Sequence, residues 1–393
     1  MDLSSPWAGY ALSNVLIGLV TAFTARSSLA RPAAFMSIVA LAISLQSQAI
    51  AQPGTIGIGS LPAILACTNI CTALDLFFHS NVTYDEHIDW LRTQKGTFRP
   101  TMKHRVNWAL QLPFNSRRIG TKWQISQVPP FDAEKPKYTP SRTAFLLQQL
   151  LSIIISGVIA FFFLGQPSVH GFAAHFTDER QKVMLDGCAI SLAALPSRIY
   201  LTVSFLTWVF TIQHAQISIL AFIAVSMHVS DPVDWPPVQG PISETWSNRQ
   251  LWGATWHQGF RQLLSANANF AIDFLGLQPG TITTRYTRFF LCFLQSGALH
   301  TLFDQGYGIP LDQSGALVFF AVQPIAFAVE DLARWTSRRY GILANDVPLR
   351  RLIGYTWVLG WCTITWPIWA YPLVRRMLVK NDPIPFVHLK MTL

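Results

Sequence analysis

The chain carries little charge for its length. Only 12% of its 393 residues are Asp, Glu, Lys or Arg, whereas soluble domains carry about 25% of these residues. Apolar residues make up 51% of the chain. A soluble protein of this size would need more charged side chains to cover its surface. The composition therefore argues against a soluble enzyme and predicts an integral membrane protein.

Cysteine is also scarce, and the short motifs of several enzyme classes are missing. Cys67 and Cys71 have the i,i+4 spacing of a helix, but nothing elsewhere completes a zinc site. No Gly-x-Ser-x-Gly elbow, phosphate-binding loop, haem signature or flavin signature is present. We therefore expect no metal and no permanently bound cofactor, and we interpret the cysteines as small apolar residues of membrane helices. They are Cys67, Cys71, Cys188, Cys292 and Cys362.

The chain is basic, with a formal net charge of +9. No zinc pattern, recognition motif or disordered basic tail accompanies this charge, so we expect no nucleic-acid partner. The segment 79–142 holds eleven Lys or Arg against five Asp or Glu. The positive-inside rule places this segment and 331–351 in the cytosol, and the tail from Arg375 then falls on the opposite side. On this topology the glycosylation sequon at Asn81 is cytosolic and stays unused.

About eight stretches have the length and apolar character of a membrane-spanning helix, which needs about 20 residues. The first, 7–25, has no basic region before it, so we interpret it as a span and not as a secretory signal. The stretch 199–229 is one long tilted helix or a tight hairpin, and 289–303 is short and interrupted by polar residues. Residues 185–195 and 269–277 are candidates for re-entrant or interfacial pieces. The predicted spans are 7–25, 34–51, 56–78, 143–164, 199–229, 289–303, 315–329 and 352–373.

His300 is the most conspicuous polar residue within an apolar stretch. Ionisable groups are expensive in a bilayer, so such a residue is a functional candidate by default. Gln295 and Ser296 lie about one turn before it, and Gly297 allows a close approach by another element. Asp304 lies four residues later, on the same helical face. The group suits a general base, but a histidine that only bridges two helices explains the local pattern equally well.

A second candidate site lies in the segment 249–261. On a helix, His257 and Arg261 are one turn apart on one face, and Trp252 and Trp256 form an adjacent stripe. Two indoles, an imidazole and a guanidinium near a membrane surface suit an anionic ligand with a flat ring, such as coenzyme A. The alternative is an aromatic belt at the membrane surface, which fourteen Trp residues make a strong competitor.

Other polar residues in apolar stretches receive weaker interpretations. His214, with Gln213 and Gln216 nearby, lines a cavity or packs between helices, and packing is favoured. Asp75 lies near the end of a predicted span, so we expect it to have a partner or to meet interfacial water.

Five segments together resemble the wax-synthase-like branch of the membrane-bound O-acyltransferases. The most specific part is the pair Trp-His-Gln (256–258) and Ser-Gly-x-x-His (296–300), in this order and about forty residues apart. In fungi this branch includes acetyltransferases of terpenoid and meroterpenoid pathways, such as the trichothecene acetyltransferases. Two departures are Arg118, where a Gly is common, and the pair 254–255, where many members carry basic or polar residues. The segments, within roughly 117–376, are 117–123, 234–238 with 251–261, 293–300, 319–323 with 330–331, and 350–357 with 366–372.

This resemblance implies an all-α bundle with a central tunnel, in which His300 deprotonates a hydroxyl and His257 orients the thioester. It also implies that acyl-CoA enters from the cytosol and that a lipophilic alcohol enters from the membrane. Enzymes of this kind usually reside in the endoplasmic reticulum. The candidate site residues are His300 and His257 for catalysis, Trp252, Trp256, Gln258 and Arg261 for acyl-CoA, and Ser296, Gln295 and Asp304 in support.

We therefore expect an enzyme that transfers the acetyl group of acetyl-CoA to a hydroxyl of a lipophilic terpenoid or meroterpenoid. Synthesis of long-chain wax or sterol esters is the alternative within the family. A transporter would need inverted repeats and intramembrane charges along a path, and a scaffold would not need both histidines. Because no internal repeat is found, we expect a single membrane domain over 1–393, with 79–142 as a basic cytosolic loop and 234–376 as the catalytic core.

Overall fold

Helices make up nearly all of the regular structure, which confirms the all-α prediction. The computed structural model describes residues 5–52, 61–126, 128–165, 176–182, 192–256, 258–341, 347–380 and 384–385. The helices are α1 (Pro6–Phe23), α2 (Ala30–Ala51), α3 (Leu61–Leu74), α4 (Tyr84–Lys95), α5 (Met102–Gln111), α6 (Arg142–Phe163), α7 (Asp178–Lys182), α8 (Leu195–Ser226), α9 (Asn248–Gln250), α10 (Arg261–Phe274), α11 (Ile282–Tyr307), α12 (Ala316–Ala321), α13 (Gln323–Tyr340) and α14 (Val347–Lys380).

Among the described residues, one very short ladder accompanies the helices. Strand β1 (Leu164–Gly165) pairs antiparallel with β2 (Ile384–Pro385), with Leu164 opposite Pro385. Two residues per strand are too few to form a sheet layer, so the ladder does not change the fold class.

Several helix ends follow directly from the local sequence. The side chains of Thr83, Thr101 and Thr281 precede α4, α5 and α11, and each accepts a hydrogen bond from a backbone N–H of the first turn. Such caps satisfy donors that have no partner within the helix. Helices α11 and α13 end at Gly308 and Gly341, whose φ values of +91° and +66° favour glycine.

The helices divide between two compact units. The first unit comprises Met1–Ser126 and Gly259–Ala321, and the second comprises Gln127–Gln258 and Val322–Leu393. The first therefore holds α1–α5 and α10–α12, and the second holds α6–α9, α13 and α14. The single domain, the cytosolic loop and the catalytic core that the sequence suggests remain predictions.

Within the part of the chain that the structure describes, six helical stretches are long and apolar enough to cross a membrane. Each coincides with a predicted span, whereas the predicted spans 289–303 and 352–373 lie in α11 and α14 and are not among the six. The total number of spans therefore stays a prediction. The six are Pro6–Phe23, Ala30–Ala51, Leu61–His79, Arg142–Ile159, Leu195–Ser226 and Ala316–Tyr340.

Two of the ambiguous stretches now have a defined structure. Residues 199–229 lie mainly in α8, a single helix of 32 residues, so the hairpin alternative is wrong. At 1.5 Å per residue α8 is about 48 Å long, enough to cross a hydrocarbon core of about 30 Å with a tilt. Residues 269–277 form the second half of α10 and the turn after it. Of 185–195, residues 185–191 lie outside the described residues.

Helix α6 exposes a continuous apolar stripe. Its members recur every three or four residues, so they occupy one helical face. A stripe of this length on a helix with few charges suits contact with lipid tails. The members are Leu147, Leu150, Leu151, Ile154, Ile155 and Val158.

Two prolines inside α14 leave two backbone carbonyls without their usual helical donors. Proline has no N–H, so Pro367 cannot bond to Thr363 and Pro372 cannot bond to Ile368. Arg198 Nε donates to the Thr363 carbonyl at 2.8 Å, and Gln181 Nε2 donates to the Ile368 carbonyl at 3.0 Å. Side chains of the same unit thus satisfy both carbonyls, as a low-dielectric environment requires.

Two apolar cores are seen among the described residues of the first unit. One joins α1, α2, α3, α4 and α5 around residues such as Ile17, Ile38 and Phe77. The other joins α2, α3, α10 and α11, and Cys67 belongs to it. Cys67, Cys71, Cys292 and Cys362 are free thiols, in keeping with their interpretation as small apolar residues, and Cys188 lies outside the described residues.

Candidate active site

Helix α11 presents His300, whose ring is held by the backbone of its own helix. His300 Nδ1 lies 2.7 Å from the carbonyl oxygen of Ser296, one turn earlier. A carbonyl can only accept a hydrogen bond, so Nδ1 carries the proton. In the neutral imidazole the lone pair is then on Nε2, which is the protonation state that a general base needs.

Helix α12 covers one face of the His300 ring. The ring centroids of His300 and Phe320 are 4.6 Å apart, and the planes are inclined by 33°. A Cβ atom on Gly297 would lie 3.0 Å from Leu317 Cα and 3.2 Å from Phe320 Cβ. Glycine at 297 therefore allows α12 to lie this close, which confirms the expectation of a close approach at this position.

The other predicted supporting residues tie α11 to its surroundings. Asp304 is fully buried, and its carboxylate accepts a hydrogen bond from Ser314 Oγ at 2.6 Å. Gln295 Nε2 donates to the carbonyls of Leu264 at 3.4 Å and Leu291 at 3.2 Å, so it joins α11 to α10. A direct role for the Asp304 carboxylate beside His300 stays a prediction.

The segment 249–261 does not form the single helix that the sequence suggests. Its backbone makes a π-type turn over Leu251–Thr255 and is extended at Trp256, and α10 begins only at Arg261. His257 lies outside the described residues. No continuous helix therefore supports the expectation that His257 and Arg261 share a helical face. The rings of Trp252 and Trp256, predicted to form an adjacent stripe, do lie close together, with 5.2 Å between their centroids.

Hydrogen bonds to the neighbouring segment 238–240 explain why the helix ends before Gln258. In an α-helix the N–H of Gln258 would bond to the carbonyl of Ala254. Instead Gln258 N donates to the carbonyl of Val238 at 3.0 Å, and Ala254 O accepts from Gly240 N at 3.1 Å. A Cβ on Gly240 would lie 2.6 Å from Ala254 O, so only glycine permits this approach.

The aromatic ring of Trp256 and the side chain of Gln258 stabilise residues 248–260, which we call the bent segment. The Trp256 ring lies 4.9 Å from Phe210 and 5.8 Å from Trp366, and Trp256 is 9% exposed. Gln258 is buried, and its Nε2 donates to the carbonyls of Trp256 at 2.8 Å and Ala254 at 3.2 Å. The side chain of Gln258 thus binds two backbone carbonyls that precede position 257.

Gln323, the first residue of α13, binds two indoles. Its Oε1 accepts from Trp252 Nε1 at 3.3 Å and from Trp361 Nε1 at 2.9 Å. It therefore connects the bent segment to α14 within the second unit.

Glu330, two turns later on the same face of α13, binds the start of the bent segment. Its buried carboxylate accepts from Asn248 N at 2.5 Å and from Trp357 Nε1 at 3.0 Å. Arg249 also pairs with Asp331 at 3.0 Å. Sequence reasoning identified Gln323 and Glu330 only as matches to a family segment. An acidic residue at the end of an apolar stretch was the signal that could have indicated a structural role.

Arg261 is the remaining predicted acyl-CoA contact. It is half-buried at the start of α10, and burial lowers the pKa of its guanidinium. An arginine side chain still stays protonated at neutral pH, so Arg261 is a candidate for a phosphate contact.

The candidate residues divide between the two units. His300, Ser296, Gln295, Asp304 and Arg261 belong to the first unit, and Trp252, Trp256 and Gln258 belong to the second. Among the residues that the structure describes, no group of three or more His, Cys, Asp or Glu side chains is arranged to hold a metal ion.

Comparison with known proteins places these segments in a family. The model of the membrane bound O-acyl transferase family matches residues 235–322, which include the bent segment and His300. Acetyltransferase aurG of Calcarisporium arbuscula is 30% identical over 394 residues, covering 93% of this chain and 92% of its own length. Acetyltransferase fsoF of Humicola fuscoatra is 30% identical over 69% of this chain and 68% of its own length.

A third relative carries a different name. O-Mevalon transferase yanI of Aspergillus niger is 28% identical over 73% of this chain and 67% of its own length. No solved structure matches the chain.

The similarity to aurG extends over nearly the whole of both proteins, and the family model includes both predicted catalytic segments. The chain therefore belongs to the membrane-bound O-acyltransferase family and is an acyltransferase of the membrane.

Proposed function

We propose that this enzyme transfers the acetyl group of acetyl-CoA to a hydroxyl of a lipophilic secondary metabolite, with His300 as the general base. The observation that carries the proposal is the 2.7 Å contact between His300 Nδ1 and the Ser296 carbonyl. It favours the tautomer whose Nε2 can accept a proton, and the packing of Phe320 restricts the ring orientation.

The reaction requires a base that accepts the proton of the hydroxyl and a group that donates a hydrogen bond to the developing oxyanion. His300 Nε2 takes the proton of the acceptor hydroxyl, and the oxygen attacks the thioester carbonyl carbon. The carbon–sulfur bond then breaks, the ester is released, and CoA leaves as a thiol after it receives the proton from His300. A positioned base of this kind accelerates proton transfer by about 10²–10⁴-fold.

We assign His257 to the thioester. It orients the carbonyl or donates a hydrogen bond to the oxyanion. Gln258 supports it indirectly, since its side chain holds the backbone of Ala254 and Trp256. Trp252, Trp256 and Arg261 remain our candidates for the acyl-CoA contact, with Arg261 suited to phosphate.

The acetyl group is supported by relatives that are named acetyltransferases. The acceptor class, a terpenoid or meroterpenoid alcohol, rests on the motif resemblance of the segments around His257 and His300. We propose residence in the endoplasmic reticulum membrane, where acyl-CoA is supplied from the cytosol. Because yanI is named an O-mevalon transferase, the donor panel should extend beyond acetyl-CoA.

The test uses microsomes that contain the wild type, His300→Ala, His257→Ala or His214→Ala at equal expression. Radiolabelled acetyl-CoA and other acyl-CoAs are supplied with a panel of terpenoid and fatty alcohols. We expect ester formation by the wild type and a loss of about 10²–10⁴-fold with His300→Ala. His214, a histidine of the apolar helix α8, is the matched control and should retain activity when replaced. Full activity of His300→Ala would contradict the assignment of the base.

A further inference from the structure

A buried polar cluster in the first unit lies outside the residues assigned above. It centres on Asp75, which begins the π-type turn Asp75–His79 at the end of α3. π-type turns interrupt regular helices and occur frequently at functional sites. The opposite wall of the cluster is α10, which contributes Gln262 and Asn267.

Both carboxylate oxygens of Asp75 accept hydrogen bonds. Arg118 Nη2 donates to Oδ2 at 2.7 Å, Ser80 Oγ donates to Oδ1 at 2.6 Å, and Gln262 Nε2 approaches Oδ2 at 3.5 Å. The Asp75 and Arg118 side chains are only 1% and 4% exposed. Arg118 has a φ of +56°, which is unfavourable for a residue other than glycine. The fold therefore accepts backbone strain to place a guanidinium at this position.

Three side chains around this ion pair have buried polar atoms that make no well-formed hydrogen bond. They are Arg118 at Nε and Nη1, His79 at both ring nitrogens, and Asn267 at Oδ1 and Nδ2. The side chains of His79 and Asn267 lie close enough to interact with each other. Arg118 is 3% exposed and Asn267 is 8% exposed. The His79 ring packs on Phe270 with 4.2 Å between centroids, and Asn267 lies one turn before Phe270 on the same face of α10. Buried polar groups of this kind destabilise a fold unless a partner binds them.

The chemistry of the cluster indicates what it binds. Asp75 neutralises the charge of Arg118, and Asp273 also faces His79, so an anionic phosphate is disfavoured. The remaining groups offer N–H donors from Arg118 together with both a donor and an acceptor from Asn267 and from His79. This combination suits a neutral hydroxyl or carbonyl oxygen.

The same helices carry the cluster and the proposed base. Leu263, the neighbour of Gln262 on α10, packs in one apolar core with Leu299, the neighbour of His300 on α11. We infer that Arg118, His79 and Asn267 form a subsite that binds a second, neutral oxygen function of the acceptor and so selects which alcohols are acylated. This inference rests on the proposed function for the identity of the ligand.

Two shape-conserving substitutions test the subsite. Asn267→Leu removes the amide, and His79→Phe keeps the ring on Phe270 but removes both nitrogens. The probes are the panel alcohol with the highest turnover and its analogue that lacks the second oxygen. We expect each variant to raise the KM for the oxygenated alcohol about tenfold and to reduce its preference over the analogue. The KM for acetyl-CoA should stay unchanged.

Thermal unfolding without acceptor separates this role from a structural one. Because neither side chain makes a well-formed hydrogen bond, both variants should lower the melting temperature far less than removal of a polar group that has a partner. The control is Asn69→Leu on α3, because Asn69 Nδ2 donates to Ser13 Oγ at 2.7 Å. That change should lower the melting temperature and leave the acceptor KM unchanged.

The outcomes decide between the alternatives. If Asn267→Leu and His79→Phe destabilise the protein as Asn69→Leu does, the cluster is structural and the inference is wrong. If they are stable but the acceptor KM is unchanged, the subsite does not bind the acceptor and the inference is also wrong. If the proposed function is wrong, the wild type forms no ester with any acyl-CoA. The comparison of melting temperatures then still decides whether the cluster is structural.

Discussion

At the scale of single residues, the candidate base depends on two small features of α11. The Ser296 carbonyl favours one tautomer of His300, and Gly297 allows Phe320 to lie against the ring. Either feature would be lost by a small change. The close packing at Gly297 is therefore expected to affect the proposed chemistry.

Gly297→Ala tests this dependence. The added methyl would lie 3.0 Å from Leu317 Cα, so α12 must shift, at a cost of about 1–3 kcal/mol. We expect a lower melting temperature and slower ester formation, measured by thermal unfolding and by the microsomal assay. The matched control is Gly157→Ala on α6, where nothing lies within 4 Å of the added atom. Wild-type stability and activity in Gly297→Ala would show that the close approach is unimportant.

At the scale of elements, α13 fixes the bent segment that precedes α10. Gln323 and Glu330 are two turns apart on one face, and they bind Trp252 and the backbone of Asn248 respectively. A segment without a continuous helix needs such outside partners, because its own backbone bonds do not define one conformation.

Gln323→Leu should disturb the segment at a distance from the reacting atoms. The indole N–H groups of Trp252 and Trp361 lose the acceptor that they share, and each loss costs about 1–3 kcal/mol where the group is buried. We expect a lower melting temperature and a reduced kcat for ester formation. Arg334→Ala on the same helix is the control. Arg334 is 40% exposed and only 3.5 Å from Glu330, so its loss should cost under about 0.5 kcal/mol. Equal behaviour of the two variants would argue against a special role for Gln323.

At the scale of the whole molecule, the six apolar helical stretches found among the described residues agree with an integral membrane enzyme. The distribution of basic residues adds an orientation, since 79–142 holds eleven Lys or Arg, more than any other segment between the predicted spans, and is predicted to be cytosolic. That orientation would place the segment on the side from which acyl-CoA is supplied.

The sequon at Asn81 provides a direct test of orientation. If 79–142 is cytosolic, the enzyme expressed in microsomes should show no change in gel mobility after glycosidase treatment. A sequon introduced into 381–393, which the same topology places on the opposite side, is the positive control and should be glycosylated. Glycosylation at Asn81 would reverse the predicted orientation and require a different entry route for acyl-CoA.

Much of the membrane architecture and of the base could be predicted without coordinates. A bilayer requires about 20 apolar residues per span, so α1, α2, α3, α6 and α8 are visible as long apolar stretches. His300 is conspicuous because an ionisable residue in such a stretch is expensive. Asp75 was expected near a span end with a partner, and it has one in Arg118.

Only the tertiary structure decided the contacts between residues that lie far apart in the chain. Residues 249–261 have a helical pattern, but Val238 and Gly240 take the backbone bonds of Gln258 and Ala254 and end the helix. Likewise Arg198 and Gln181 bind carbonyls that the prolines of α14 leave free. Composition and periodicity describe what a segment prefers by itself, and hydrogen bonds to distant segments can override that preference. The apolar spans and the position of His300 were therefore readable from the sequence, whereas the path of the backbone around position 257 and the cluster at Asp75 were not.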